Sequence, residues 1–163
     1  MRLYVMERGA CKEASVDFPV GKKKVSLFSL SVEREHPSIK TRLGRVFFYL
    51  IAGGKFWIYY VTDPGSGIMI HSSYVMERSF KFPFMEAGDI HIGPCNTASS
   101  HRGRGIYRNV LRAICRDLQS KAFMMVHEDN IPSIKGIESA GFCHVGTVEK
   151  TGIFKVYRRT EHV

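Results

Sequence analysis

Arg102-Gly103-Arg104-Gly105-Ile106-Tyr107 follows an apolar segment of strand character, Asp89 to Thr97, and opens a segment of helical periodicity. Tyr107, Val110, Leu111, Ile114 and Leu118 recur three and four residues apart, the spacing of one helix face. A strand, a glycine turn and a helix start together make an anion site. The first N–H groups of a helix lack intrahelical acceptors, and the helix dipole adds partial positive charge there. Glycine at 103 and 105 leaves no Cβ between an incoming phosphate and the main chain. Arg102 and Arg104 add full charges, so the stretch reads as a pyrophosphate cradle.

Two common nucleotide motifs are excluded. A P-loop needs Lys-Ser/Thr after its last glycine, and none stands here. The dinucleotide fingerprint Gly-x-Gly-x-x-Gly would need a third glycine where the chain has Arg108. The plainer reading, a glycine turn before a basic helix, stays open on six residues alone.

Length and composition frame the rest. A chain of 163 residues is read as one domain, large enough to bury a core without metal or disulfide staples. Cys11, Cys95, Cys115 and Cys143 form no Cys-x-x-Cys pair and read as reduced thiols in a cytoplasmic protein. The start, Met1 to Arg8, lacks the apolar core of a signal peptide, and Val46 to Ala52 is too short to span a bilayer. A net charge of +9 favours an anionic partner without choosing among nucleic acid, acidic lipid and a polyphosphate ligand.

Along the chain, Leu3 to Met6 reads as a short strand, and the following segment through Lys22-Lys23-Lys24 as an exposed loop or turn. Val25 to Val32 alternates imperfectly, as a strand does with both faces partly covered. Leu43, Val46, Phe47, Leu50 and Ile51 predict a helix that enters at His36-Pro37 and stops at Gly53-Gly54. Lys55 to Thr62 and Ile68 to Tyr74 predict a hairpin around Asp63-Pro64-Gly65-Ser66-Gly67. Met76 to Ala87, with Phe80, Phe82 and Phe84, reads as an irregular lid over the core. Gly93 and Pro94 inside the next strand call for a bulge. Beyond the central helix come a strand (Ala122 to His127), a short helix (Asn130 to Ala140) stopped by Gly141, and two last strands, Phe142 to Glu149 and Ile153 to Tyr157. That order is an α/β sandwich around a mixed sheet.

A second motif lies in Asn130-Ile131-Pro132-Ser133 to Gly141-Phe142. With the first it resembles the signatures of the GNAT superfamily of acyl-CoA-dependent N-acetyltransferases. Arg102 takes the Arg/Gln position of Arg/Gln-x-x-Gly-x-Gly/Ala and Gly105 its central glycine, while Tyr107 replaces the final Gly/Ala. Asn130, Ser133, Gly141 and Phe142 match the second hallmark. A closer likeness, carried by Asp89-Ile90-His91-Ile92-Gly93-Pro94-Cys95, is to bacterial members that accompany surface-polysaccharide synthesis.

The resemblance implies one α/β (α+β) acyltransferase domain over residues 1–163. Its sheet would be mixed but mostly antiparallel, flanked by helices, with a bulged strand before the CoA-binding turn. It implies transfer from acetyl-CoA, without a metal, to a primary amine of a small molecule such as an amino sugar or sugar nucleotide. In that scheme the main chain from Gly103 through Ile106 to Tyr107 holds the pyrophosphate, with Arg102, Arg104 and Arg108 adding charge. Cys95, Asn96 and Thr97 would bind the pantetheine arm like an added strand, and Asn130 and Ser133 would contact it near the thiol. His91, Asp89 and, on the hairpin, His71 are the candidate bases. The tyrosine many members carry seven residues after the Asn is Ile137 here, which leaves Ser133 as the candidate acid. Cys95 as a nucleophile lacks a partner pattern. The implied partners are acetyl-CoA and an amine, with a homodimer compatible and neither membrane nor nucleic acid expected. A CoA-binding module without turnover and a basic RNA- or ribosome-associated protein are the rivals.

Overall fold

The computed structural model describes residues 1–10, 18–25, 53–153 and 156–160. The strand read at Val25 to Val32, apart from Val25, and the helix read from His36 to Ile51 lie outside the described residues, as does Cys11. Within them run β1 (Arg2–Met6), β2 (Gly21–Lys24), β3 (Phe56–Thr62), β4 (Met69–Glu77) and β5 (Ile90–Thr97). A 3-10 turn (Ser99–His101), α1 (Ile106–Leu118), β6 (Ala122–Val126), α2 (Ile131–Ala140), β7 (Cys143–Thr151) and β8 (Val156–Thr160) complete the order. The strands form one sheet in the order β2-β3-β4-β5-β6-β1-β7-β8. Every neighbouring pair is antiparallel except β5–β6, which is parallel. Parallel neighbours need a crossover, and α1 supplies it.

Alternation along the strands separates two cores. Tyr4, Met6, Val75, Ile90, Ile92, Met124 and Val126 pack with Val110, Ile114, Ile134 and Ile137 under the two helices. Leu3, Val5, Phe56, Ile58, Met76 and Phe123 face the other way and pack with Phe82, Met85 and Val148. The opening strand lies deep in the sheet, between β6 and β7, where both faces of Leu3-Tyr4-Val5-Met6 are buried. One sequence expectation is corrected. Gly21 to Lys24 is an edge strand on β3, not a loop. An edge tolerates three lysines because their side chains reach solvent, and Lys22 also pairs with Asp117 at 2.7 Å. Phe82 seals its core, stacked on His91 at 4.4 Å and on Tyr157 at 5.3 Å between centroids, whereas Phe80 is exposed.

The feature that positions the site is where β5 and β6 part. They are paired only at Ile90–Ala122 and His91–Phe123. β5 runs on to Thr97 and β6 to Val126 without further pairing between them. Pro94 lacks an N–H, and the β4–β5 register shifts between Ser73 and Val75, opposite this stretch. The two strands therefore splay at their C-terminal ends, the ends from which α1 and α2 depart.

Candidate functional site

A cavity of about 820 Å³ occupies the splay and extends to the start of α1. At its outer end stands the glycine turn. Gly103 and Gly105 both take φ of 76°, the left-handed region where a side chain is strained. Gly105 is the N-cap of α1, and Asn109 is the first residue to return a backbone bond, to the Gly105 carbonyl at 3.0 Å. The N–H groups between them point out of the helix start. Arg102 ties the turn to the strand, donating from Nε to the Thr97 carbonyl at 3.2 Å. Arg102, Arg108 and Lys135 bring full positive charge to the wall, and no carboxylate lines it among the described residues.

The middle of the cavity runs along Cys95, Asn96 and Thr97, and the inner end lies between Ile92–Gly93 and Met124–Val126. Asn130 caps α2, its Oδ1 accepting from the Ser133 N–H at 3.3 Å, so both residues are set at the mouth of that helix. Both line the cavity. Of the residues singled out in the sequence, Cys95, Asn96, Thr97, Arg102, Gly103, Gly105, Ile106, Tyr107, Arg108, Asn130 and Ser133 share this one wall. Arg104 is exposed and stands outside it.

The candidate bases lie elsewhere. Asp89 is buried in the turn before β5, where its Oδ2 accepts from the Glu86 N–H at 2.7 Å, outside the cavity wall. His91 is buried on the face away from the helices, beneath Phe82, and its Nδ1 has no hydrogen-bond partner among the described residues. A Cβ placed on cavity-lining Gly93 would sit 3.3 Å from its Cε1, so the ring lies one layer below the splay. Burial pushes its pKa down to about 4. His71 is buried beside the cavity with both ring nitrogens bonded, and burial likewise pushes it down to about 4. Burial in the cavity wall pushes the Cys95 thiol up to about 11, so the thiolate a nucleophile needs is scarce at neutral pH.

Tyr107, the residue that departs from the motif, turns its ring inward from the phosphate turn. The ring lies on Gly136 of α2, where an added Cβ would come within 2.6 Å of Tyr107 Cδ1. Burial holds its phenol far above its usual pKa. The contact with Gly136 sets an expected result. Ala at a helix interior normally stabilises over Gly by about 1 kcal/mol, yet overpacking costs about 1–3 kcal/mol. Gly136→Ala should therefore lower the melting temperature of the native chain and raise it in a Tyr107→Ala background, a reversal that thermal denaturation of the four proteins would read.

The sequence reading missed the far wall, Met124 to His127, because those residues look like any buried strand, and it missed Lys135 and His101. Only a position after the crossover helix could have flagged Met124 to His127 and Lys135, and nothing local flagged His101.

No family model matches the chain, and no curated protein matches it either. Solved structures do. An acetyltransferase of the GNAT family from Colwellia psychrerythraea is similar at 15% identity and a TM-score of 0.58, over 88% of this chain and 52% of that one. AAC(6')-Ib in complex with Parmomycin and acetyl-CoA is similar at 16% identity and 0.56, over 81% and 86%. Glucosamine-6-phosphate N-acetyltransferase from Arabidopsis thaliana is similar at 14% identity and 0.50, over 83% and 99%. The chain spans about half the length of the first of these. At such identities the likeness is one of fold: the mixed, mostly antiparallel sheet with its flanking helices is the fold of GNAT acetyltransferases.

Proposed function

We propose that the protein transfers an acetyl group from acetyl-CoA to a primary amine of a small molecule, by direct attack within a ternary complex. The observation that carries this reading is the cavity itself: a cationic glycine turn, with no carboxylate lining it among the described residues, leading along the edge of β5 that β6 leaves unpaired into an apolar split. The residues present fit acetyl-CoA. Open helix-start N–H groups and three basic side chains suit a diphosphate, and an unpaired strand edge suits an amide-bearing arm. Acetyl-CoA would supply an activated thioester carbonyl and a thiolate leaving group.

The chain's own residues then do four things. The main chain from Gly103 to Tyr107, with Arg102 and Arg108, holds phosphate, and Arg104 contributes only from outside the wall. Cys95 to Thr97 orient the arm, and Asn130 and Ser133 border it from α2. An N–H of bulged β5 polarises the thioester carbonyl, a role worth about 3 kcal/mol in comparable sites. Asp89 and His91, the candidate bases, both lie off the cavity wall, so the acceptor enters as its free amine and loses its proton to water, and the Ser133 hydroxyl would meet the departing thiolate.

We assign the acceptor to the amino sugars or sugar nucleotides, of the kind built into surface polysaccharides. Support comes from a structural neighbour named for acetylating glucosamine 6-phosphate. Widely spaced cysteines that form no Cys-x-x-Cys pair favour the cytoplasm as its place. Thiol release from acetyl-CoA, measured against amino sugars, sugar nucleotides and simple amines, is expected to depend on the acceptor. Binding of acetyl-CoA with no acceptor turned over would favour the module without turnover. RNA binding that is salt-sensitive and indifferent to acetyl-CoA would sink both.

A further inference from the structure

α1 and α2 leave the neighbouring parallel strands β5 and β6 from the same end, so they run side by side in one direction with both starts at the cavity. Two contacts fix their register. The Tyr107 ring lies on Gly136, and Arg112 Nη2 donates to the Ser139 carbonyl at 2.7 Å. One helical turn back from Arg112 stands Arg108, and one turn back from Ser139 stands Lys135. The two cations therefore flank the cavity end of the seam between the helices, and both line the cavity. So does Ser139, which carries the cavity past the glycine turn and along the seam. A diphosphate at the turn and an arm along β5 do not account for this limb.

Its charge is unbalanced. Lys135 is exposed, and no carboxylate pairs with it among the described residues. Glu138, an acid one turn on along α2, accepts instead from Tyr4 Oη at 2.9 Å. The Arg108 guanidinium folds back toward the turn, with Nη2 3.4 Å from the place of a Gly105 Cβ. Arg108 stands in the first turn of α1, which holds no acid, and a cation there opposes the helix dipole. The seam thus carries a repulsion that an anion between the two side chains would relieve. A phosphomonoester suits the place best. It carries nearly two charges at neutral pH, and its three terminal oxygens can meet an ammonium and a guanidinium together. Acetyl-CoA has one such group besides its diphosphate, the 3'-phosphate on its ribose.

We propose that Lys135, facing Arg108 across the seam, binds the 3'-phosphate of acetyl-CoA and makes the protein select that donor over its 3'-dephospho form. The proposal rests on the acetyl-CoA reading and names the part of the donor that is recognised at the seam. A lysine that only added to the general positive field of the cavity would favour both donors in similar measure, because both keep the diphosphate.

The test compares binding of CoA and of 3'-dephospho-CoA to the full chain, by calorimetry at one salt concentration. The two ligands share the diphosphate and the arm and differ in a single phosphate. The native chain is expected to bind CoA about thirtyfold more tightly, the worth of charge-assisted hydrogen bonds to that group. Lys135→Gln keeps most of the side chain and removes its charge. It should weaken CoA about tenfold and leave 3'-dephospho-CoA within about twofold of the native affinity. Lys135→Arg should keep most of the preference for CoA. Arg108→Gln should weaken both ligands, since its guanidinium also lies over the turn, and should reduce the preference as well. Equal losses for the two ligands in Lys135→Gln, or no loss for either, would overturn the proposal. Lys135 is exposed, so the variant is expected to melt as the native chain does; should it fail to fold, Lys135→Ala gives the same reading. A native chain that binds neither ligand defeats the acetyl-CoA reading and this inference with it. One that binds both ligands equally well defeats this inference alone.

Discussion

Gly105→Val is expected to lower affinity for acetyl-CoA by about a hundredfold while the chain still folds. Gly105 sits at φ 76° as the N-cap of α1, a conformation a β-branched residue adopts only under strain. Its added Cβ would also arrive 3.4 Å from the Arg108 guanidinium, before the two γ-methyls are counted. The turn must open or rotate, and the N–H groups from Gly105 onward lose their common aim. Hydrogen bonds to a charged ligand are worth about 1.5–3 kcal/mol each, so losing two at the lower end of that range gives about the stated factor. Gly103→Ala is the control. It has the same φ, but nothing lies within 4 Å of the new Cβ, so only backbone strain acts and the affinity should fall far less. Calorimetry with acetyl-CoA reads the ligand term and thermal denaturation reads the strain. If Gly105→Val bound acetyl-CoA as the native chain does, the cradle would not be where the ligand sits, and the transferase reading would go with it.

What the sequence disclosed and what it hid divide along one physical line. Local signals were legible. The three-and-four spacing of Tyr107 to Leu118 marks α1, Asn130 before Pro132 marks the capped start of α2, and the glycines at 103 and 105 mark the turn. Non-local pairing was not. Nothing in Leu3-Tyr4-Val5-Met6 says that it inserts between β6 and β7, because a buried strand reads alike wherever it pairs. Nothing in β5 or β6 says that their ladder ends at His91 and Phe123. The lysines at 22 to 24 look like a loop because charge signals exposure, and an edge strand is exposed as well. The parity of β5 was readable in part: Ile90 and Ile92 face the helices, so His91 must face away from them. The bond of His71 to Thr97 needs β4 and β5 paired before it exists.

Stability should fall by roughly 6 kcal/mol between pH 6.5 and pH 4, enough to unfold a protein of ordinary stability, which is about 5–15 kcal/mol. His71 and His91 both carry pKa values pushed by burial from 6.5 to about 4. The sign follows from proton counts. Below pH 6.5 the unfolded chain protonates both rings while the native chain keeps them neutral, so the unfolded state binds more protons and stability drops as pH drops. The contribution is complete above pH 6.5 and lost as pH falls through about 4. Each group, lowered by about 2.5 units, accounts for roughly 3 kcal/mol. The carboxyl of Asp117, lowered by its bonds to Lys22 and Tyr59 against the effect of burial, titrates below that window and does not contribute to it. The two histidines can be told apart. His91 has an unpartnered buried Nδ1, so His91→Leu removes an unsatisfied group, worth about 1–3 kcal/mol, as well as a titration. This variant should match or exceed native stability at pH 7.5 and stand well above it at pH 4.5. His71 has both nitrogens bonded, so protonation there must break its acceptor bond to Thr97 or Ser73. Urea denaturation at pH 7.5, 5.5 and 4.5 should give His91→Leu about half the native pH slope. An unchanged slope in that variant would mean that the ring is hydrated in solution, and that the imidazole below the splay is not held neutral by burial.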